Sequence, residues 1–230
     1  MSKTKEIWTP STLETEKLLE EQDDMATARR LVHYWWAWCV VKRAKAPLVY
    51  DMGCGSGYGC RIMVEQQEHQ MKAFGMDVDD DALVTARERY VVKDGPATTE
   101  FRRVDLDTDW MDLFHNMKPT VVTCFDLFEY LDNRDLFLDA LTEVLSAEGT
   151  LLLSCSTICA GVYRSKGDAK LSFSAARLKG LLKRFFGKVY QLDDDKFPSK
   201  DYLDGINEGL FQTTPPLGVD LFACQDPIRA

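Results

Sequence analysis

A glycine-rich run at residues 48–59 constrains the fold of this chain more than any other feature. An apolar, β-prone segment leads into the acidic residue Asp51, and glycine then occupies every second position from Gly53 to Gly59. Glycine permits a positive φ and lets a ligand approach the backbone without meeting a Cβ. The first turn of a following helix adds N–H groups without intrahelical partners. The order strand, glycine turn and helix therefore predicts a cradle of nucleotide size.

Two common nucleotide-binding loops do not fit this run. A dinucleotide fingerprint needs glycine at its first, third and sixth positions, but the sixth position is Tyr58 when counted from Gly53 and Cys60 when counted from Gly55. A phosphate-binding Walker loop is excluded as well, because no Gly-Lys-Ser/Thr sequence follows. The ligand is therefore expected to be of another type.

The composition is that of a globular protein with an acidic surface. The chain has 230 residues, of which 45% are hydrophobic and 28% charged, which fits one α/β domain with a small addition. Its net charge is −9, and its basic residues form only short clusters at 42–45 and 179–184. Nucleic-acid binding and attraction to anionic membranes are therefore not expected.

The cysteines and the apolar runs bear on metal binding and location. The seven cysteines are scattered, and none of their spacings is that of a zinc site, so no metal centre is expected. The N-terminus is polar and charged, and the apolar runs fall short of the ~20 residues that span a bilayer. We therefore expect a cytoplasmic protein without a membrane span.

Helical and strand patterns alternate along the chain. The capping box Ser11–Glu14 predicts a first helix reaching the acidic residues 20–24, and a second helix over 25–45 carries three tryptophans. Further helices are predicted at 60–70, 80–90, 135–145 and 173–186. Strands are predicted at 48–52, 72–78, 100–107, 120–126, 150–156, 189–192 and 218–224. This alternation predicts an α/β fold with a doubly wound, mostly parallel sheet and helices on both faces.

The glycine run resembles the first motif of the class I S-adenosylmethionine-dependent methyltransferases. In that motif an acidic residue is followed by glycines two, four and six positions later, as Asp51 is by Gly53, Gly55 and Gly57, and Cys54 is also common there. The resemblance covers roughly residues 30–225. It implies a Rossmann-like sheet of seven strands with the last strand antiparallel, and S-adenosylmethionine as the cofactor, released as S-adenosylhomocysteine. We divide the chain into an N-terminal helical extension or substrate cap, 1–45, and a cofactor-binding domain, 46–230.

Further along the chain, acidic residues follow the predicted strands at positions that suit this cofactor. Asp77 lies 26 residues after Asp51, close to the offset at which nucleotide-binding βαβ units place a carboxylate on a ribose diol. The resemblance implies that Asp105 meets the adenine amino group beside Leu106, with Asp107 and Asp109 as alternatives. The expected cofactor contacts are Asp51, Gly53, Cys54, Gly55, Gly57, Asp77, Val78, Asp105, Leu106 and Phe125.

The run 125–131 resembles the fourth motif of small-molecule methyltransferases. Glu129 and Leu131 fit that motif, but Tyr130 replaces the usual histidine. A phenol is a poorer general base than an imidazole at neutral pH. The methyl donor is already activated, however, so positioning rather than a strong base carries such reactions. The candidate catalytic residues are Tyr130, Asp126, His33 and the loop residue Tyr163.

The acceptor is specified less well than the cofactor. His33-Tyr34, Gly57-Tyr58-Gly59 and Phe128-Glu129 resemble a subgroup that methylates sugars and other small metabolites, which implies transfer to an O or N atom of a small molecule or glycan. The Asn/Asp-Pro-Pro-Tyr/Phe signature of DNA adenine methylation and the Pro-Cys of cytosine C5 methylation are both missing.

Two alternatives and one assembly state remain open. The chain could be a non-catalytic binding or partner subunit with the same fold, or it could transfer the aminopropyl group of the same cofactor.

Trp35, Trp36 and Trp38 do not all face one side of a helix, so some of them are expected to meet the first helix, a substrate or a second subunit. A homodimer through this aromatic helix is one expectation.

Overall fold

A computed structural model describes residues 25–108, 117–156, 174–191 and 219–229 of the chain. The predicted helix from Ser11 and the candidates Asp109 and Tyr163 lie outside the described residues. The helices are α1 (Met25–Ala44), α2 (Tyr58–Val64), α3 (Asp80–Arg89), α4 (Arg134–Val144) and α5 (Ala175–Leu182). The strands are β1 (Leu48–Met52), β2 (Met71–Asp77), β3 (Ala97–Arg103), β4 (Val121–Phe125), β5 (Thr150–Ser156), β6 (Phe186–Gln191) and β7 (Val219–Pro227).

The seven strands form one sheet in the order β3-β2-β1-β4-β5-β7-β6. The first five strands in this order run parallel to one another, whereas β7 runs antiparallel to both β5 and β6. The predicted Rossmann-like methyltransferase sheet is confirmed by this order. Strand order reverses between β1 and β4, and in open α/β sheets a crevice for ligands forms at the carboxyl ends of the strands at such a point.

Apolar side chains bury both faces of the sheet. One core cluster joins Tyr50, Phe74 and Phe222 of the strands to Leu138 of α4 and Leu178 of α5. The other cluster contains residues of α1, α2 and α3 packed on the opposite face. Near-continuous burial of β1 and β4 explains why these segments are apolar at consecutive positions.

Several element boundaries differ from the sequence prediction. Helix α2 ends at Val64 rather than near residue 70, because Glu65 is extended and Gln66 takes a left-handed φ of +51°. Strand β3 begins at Ala97 and ends at Arg103, so that Asp105 lies in the following connection rather than in the strand.

The tryptophans of α1 find most of their contacts within the chain. Trp36 and Trp38 are only 4% and 6% exposed. The indole N–H of Trp38 donates to the carbonyl oxygen of Glu65 at 2.8 Å, and its ring stacks with that of Trp35 at 6.2 Å between centroids. Packing within the chain thus accounts for Trp36 and Trp38. The homodimer stays a prediction.

Across residues 25–108, 117–156, 174–191 and 219–229, none of the helices has the length and apolarity needed to cross a bilayer.

Replacement of Gly59 by alanine tests how tightly α1 packs on α2. A Cβ at Gly59 would lie 2.1 Å from the ring of Tyr34, whereas a Cβ at Gly180 of α5 would meet nothing within 4 Å. Alanine is favoured over glycine within helices by roughly 0.5–1 kcal/mol. We expect Gly180→Ala to gain about that much, and Gly59→Ala to lose about 1–3 kcal/mol through overpacking. The free energy of unfolding in urea measures both. Equal stabilisation by the two variants would mean that Tyr34 moves aside freely.

Candidate active site

The candidate site lies at the carboxyl ends of the central strands. The glycine loop follows β1, Asp77 ends β2, and Asp126 follows β4. Strands β2 and β4 both pair with β1 in parallel, so these residues lie along one edge of the sheet. Asp105 follows β3, the next strand in the sheet, close to the same edge. The topology therefore brings together carboxylates that are widely separated in the sequence.

The backbone N–H groups of the glycine loop are bonded inside the protein. Gly53 and Cys54 both donate to the carbonyl oxygen of Met76, at 2.8 and 2.9 Å. Gly57 donates to the carbonyl oxygen of Cys54 at 3.0 Å, and Gly55 donates to Oδ2 of Asp77 at 2.7 Å. These four amides are therefore not available to an anion. The N–H groups that the sequence predicts for a ligand are those of the first turn of α2, and they stay a prediction.

The glycines of the loop have different surroundings. Gly55 has a φ of +52°, and a Cβ built there would meet nothing within 4 Å. Gly53 and Gly57 also have positive φ, but a Cβ would lie 3.0 Å from Leu127 in the first case and 2.6 Å from Ala86 in the second. Gly55 is thus the glycine that borders open space, and the other two permit close packing.

Asp77 and its neighbour Val78 form one wall of the site. The half-buried carboxylate of Asp77 accepts hydrogen bonds from the amides of Gly55 and Asp79, at 2.7 and 3.0 Å. Val78 is 54% exposed, which is unusual for a valine adjoining a buried strand. A carboxylate beside an exposed apolar side chain suits a ligand with a diol next to a flat ring.

In the connection after β3, the two alternative aspartates have different hydrogen-bond partners. Asp105 is half-buried and accepts from the amide of Asp107 at 3.0 Å. Asp107 instead accepts from the amides of Asp132 and Asn133, at 2.8 and 3.2 Å, and so anchors the segment before α4. This favours Asp105 over Asp107 as the ligand-facing residue. Leu106 is 7% exposed and belongs to the core.

Asp51 lies beneath the loop and not on its surface. Its side chain is fully buried and accepts from Tyr34 Oη at 3.1 Å, Thr123 Oγ1 at 2.7 Å and Cys60 Sγ at 3.5 Å. Burial raises the pKa of Asp51 to about 6, although the hydrogen bonds from Thr123, Tyr34 and Cys60 oppose this rise. Direct contact between Asp51 and a ligand stays a prediction.

The neighbouring Cys54 is 2% exposed, and burial raises the pKa of its thiol.

Asp126 has a strained backbone and a charged partner. Its φ of +53° is left-handed, which is rare outside glycine and is often found at functional sites. Its amide donates to the carbonyl oxygen and to Oγ of Ser154, at 3.2 and 3.1 Å, and Ser154 Oγ donates to Oδ1 at 3.3 Å. Nε of Arg30 lies 3.4 Å from Oδ2. The aspartate is thereby held between β5 and α1.

The other described catalytic candidates differ in their burial. His33 is 5% exposed, and its ring lies 5.3 Å from that of Phe125, which is itself 5% exposed and contacts Tyr34 at 5.1 Å. The two predicted residues His33 and Phe125 thus lie in aromatic packing. Tyr130 is half-buried in a turn, where its amide donates to Leu127.

Sequence reasoning did not assign a role in the site to Tyr34, Cys60, Thr123, Arg30 or Ser154. Thr123 offered a weak signal, since it is a polar residue within an apolar strand. The sequence offered no signal for Arg30 and Ser154, because their partner Asp126 lies 96 residues from Arg30 and 28 residues from Ser154.

A separate groove of about 720 Å³ lies between the start of α4 and α5 and is lined by Asp132, Asn133, Arg134, Asp135, Leu136, Arg177, Gly180, Leu181 and Arg184. It shares no residue with the crevice described above.

Comparisons with known proteins agree with this arrangement. Residues 50–151 match the model of a family described as a methyltransferase domain. This match and the sheet order confirm the predicted resemblance to class I S-adenosylmethionine-dependent methyltransferases. A comparison with curated protein sequences gave no significant match.

Solved structures of similar fold are numerous. The plantazolicin methyltransferase BpumL in complex with SAH is 16% identical with a TM-score of 0.64, covering 94% of this chain and 91% of that one. The methyltransferase domain of the bacterial CtHen1-C is 17% identical with a TM-score of 0.58, covering 90% and 100%. A putative methyltransferase in complex with the Haloferax volcanii Trm112 activator is 18% identical with a TM-score of 0.54, covering 84% and 98%. At these identities the similarity shows the fold alone.

Replacement of Asp51 by asparagine tests the buried carboxylate. Because its pKa rises from 3.8 to about 6 on folding, the folded state holds the proton more tightly, and stability falls as pH rises between about 4 and 6. Asparagine does not ionise. We therefore expect Asp51→Asn to gain stability relative to the wild type between pH 4 and pH 7, by on the order of 3 kcal/mol. Urea unfolding at several pH values measures this difference.

The exposed Asp135 of α4 provides the matched control, and Asp135→Asn should follow the wild-type pH profile within about 0.5 kcal/mol. A constant difference between Asp51→Asn and the wild type at pH 4 and pH 7 would contradict the titration of Asp51 in this range.

Proposed function

We propose that this chain is an S-adenosylmethionine-dependent methyltransferase that transfers a methyl group to an O or N atom of a small molecule or glycan. The premise is the match of residues 50–151 to a methyltransferase domain. SAH is present in the plantazolicin methyltransferase structures, which supports the same cofactor here.

The observation that carries the proposal is the electrostatic character of the crevice. The loop amides of Gly53, Cys54, Gly55 and Gly57 bond to protein acceptors, so they offer no cradle for phosphate. Carboxylates of Asp77 and Asp126 border the crevice, and that of Asp51 lies below it. S-adenosylmethionine carries a sulfonium, an ammonium and a carboxylate group, so that its net charge is positive, and it has no phosphate. The charges of the crevice therefore suit this cofactor better than a dinucleotide or a nucleoside triphosphate.

The residues present fit the cofactor in outline. Asp77 would accept hydrogen bonds from the ribose diol, and Val78 would cover one face of the adenine, with Asp105 at its amino group. Gly55 would allow the ligand to approach the backbone, since an added Cβ would occupy that space. Bound S-adenosylmethionine supplies an activated methyl group, so the protein's task is to orient the acceptor and exclude water.

Asp126 is the residue we favour for orienting the acceptor. Ser154 fixes its strained backbone, and its carboxylate retains 13% exposure. A carboxylate accepts a hydrogen bond from an acceptor O–H or N–H and so directs a lone pair of the nucleophile. The ion pair with Arg30 holds this carboxylate in place. Tyr130 and His33 stay predictions for this role.

The alternative is a non-catalytic binding or partner subunit with the same fold, which the replacement of the usual histidine by Tyr130 favours. Calorimetric titration with S-adenosylhomocysteine tests the site itself, and no binding at millimolar concentration would contradict the proposal. Incubation with S-adenosylmethionine and a panel of sugars and small hydroxyl and amine compounds tests turnover. A product heavier by one methylene unit indicates methyl transfer, whereas an aminopropyl adduct indicates the other use of the cofactor.

Replacement of Gly55 by valine should abolish binding of S-adenosylhomocysteine, because the side chain would occupy the open space beside the loop. The matched control is Gly95→Val. Gly95 also has a positive φ, +101°, and a Cβ there would meet nothing within 4 Å, but it lies in the turn before β3. Both variants carry backbone strain of about 1–3 kcal/mol. Only Gly55→Val should lose affinity in calorimetry, and wild-type affinity in that variant would contradict the placement of the ligand.

Replacement of Asp77 by alanine should weaken binding of S-adenosylhomocysteine by about 1.5–3 kcal/mol, as for hydrogen bonds to a charged group. Asp79→Ala is the control two residues away. Asp79 caps α3 by accepting from the amides of Asp81 and Ala82, so its loss should cost about 0.5–2 kcal/mol of stability and leave the affinity unchanged. Equal affinities of the two variants would show that Asp77 does not hold the ribose.

A further inference from the structure

A tyrosine of α1 fills the space directly under the glycine loop. Tyr34 precedes the segment 50–151 that matches the methyltransferase family model, and its side chain is 3% exposed. Its ring occupies the volume that a side chain at Gly59 would need, since an ideal Cβ there lies 2.1–2.6 Å from three of its carbon atoms. Its edge-on contacts with Tyr58 at 5.4 Å and Phe125 at 5.1 Å fix the ring between α2 and β4.

The hydroxyl of the same tyrosine reaches the buried carboxylate. Tyr34 Oη donates to Oδ1 of Asp51 at 3.1 Å, and the same oxygen accepts from Thr123 at 2.7 Å. Burial and the nearby Asp51 raise the pKa of Tyr34 well above its ordinary value, so the phenol stays protonated and donates throughout the neutral range.

The geometry points to Tyr34 as a positioning residue of the cofactor site. Its ring packs against the first turn of α2, and its hydroxyl donates to Asp51, which favours the ionised carboxylate and holds it in one orientation beneath the loop. This inference rests on the proposed function and deepens it. It assigns part of the cofactor site to α1, which we had described from the sequence as an extension or substrate cap.

The groups that face Asp51 from each neighbouring element are polar but mostly uncharged. They are Tyr34 on α1, Cys54 in the loop, Tyr58 and Cys60 on α2, Asp77 on β2, and Thr123 and Cys124 on β4. Burial raises the pKa of each of these phenols and thiols, which keeps them neutral at neutral pH. The pKa of Asp51, about 6, lies within the pH range of the test described below.

The test compares Tyr34→Phe with Tyr90→Phe in the full chain. Phenylalanine keeps the ring that packs on Gly59 and removes only the donor. Tyr90 is a buried tyrosine of the same core cluster at the C-terminal end of α3, and it serves as the control. Each variant is titrated with S-adenosylhomocysteine by calorimetry between pH 5 and pH 8, and its unfolding in urea is followed over the same range without ligand.

Loss of the donor should raise the pKa of Asp51, because a hydrogen bond to a carboxylate favours its ionised form. The pH at which half of the affinity is lost should be higher in Tyr34→Phe than in the wild type, by about half a pH unit or more. At pH 6 this variant should bind S-adenosylhomocysteine at least about twofold more weakly than the wild type. The midpoint of the pH-dependent stability change in the ligand-free protein should move in the same direction. Tyr90→Phe should keep both wild-type midpoints.

Each of the following outcomes would overturn the inference. Tyr34→Phe could lower stability by the same amount at every pH with both midpoints unchanged, which is the behaviour of a residue that only fills space. Tyr90→Phe could shift both midpoints equally. A wild-type protein that does not bind S-adenosylhomocysteine would overturn the proposed function, and the role of Tyr34 in a cofactor site with it. Binding by the wild type with unmoved midpoints in Tyr34→Phe would overturn the role of Tyr34 alone.

Discussion

One buried carboxylate connects the elements that surround the glycine loop. Asp51 belongs to β1, and its oxygens accept from Tyr34 on α1, Cys60 on α2 and Thr123 on β4. An ionised carboxylate in a protein interior is costly unless its oxygens are hydrogen-bonded. The requirement for these donors fixes how α1 and α2 approach the sheet. These bonds hold the residues beneath the loop in one arrangement, and a site held in this way loses little conformational freedom on binding.

The glycines that alternate after Asp51 look equivalent in the sequence, but they meet different requirements. The missing side chain of Gly59 leaves space for the ring of Tyr34. That of Gly57 leaves space for Ala86 and the ring of Phe101. Gly55 borders open space, and its amide is held by Asp77. A single repeated residue type thus serves helix packing, sheet packing and ligand access within one turn. This explains why small residues occur at every second position although only Gly55 has open space beside it.

The sequence predicted those features that depend on local pattern. Strand and helix order, the open sheet and the placement of Asp77 at the carboxyl end of β2 follow from periodicity and spacing along the chain. Side-chain direction did not follow in the same way. Asp51 turns inward and His33 is buried, because their surroundings are set by residues far away in sequence, and Gln66 ends α2 through a backbone conformation that composition does not encode.

The two halves of the crevice differ in how far the family match explains them. Gly55, Asp77 and Asp105, which we propose to hold the cofactor, lie within the matched residues 50–151. Asp126 lies within it too, but the residues that fix it, Arg30 and Ser154, lie outside. A left-handed aspartate costs about 1–3 kcal/mol and persists only where its surroundings enforce it. The part of the crevice that we propose for the acceptor therefore depends on α1 and the end of β5, and we expect substitutions there to alter the acceptor more than the cofactor.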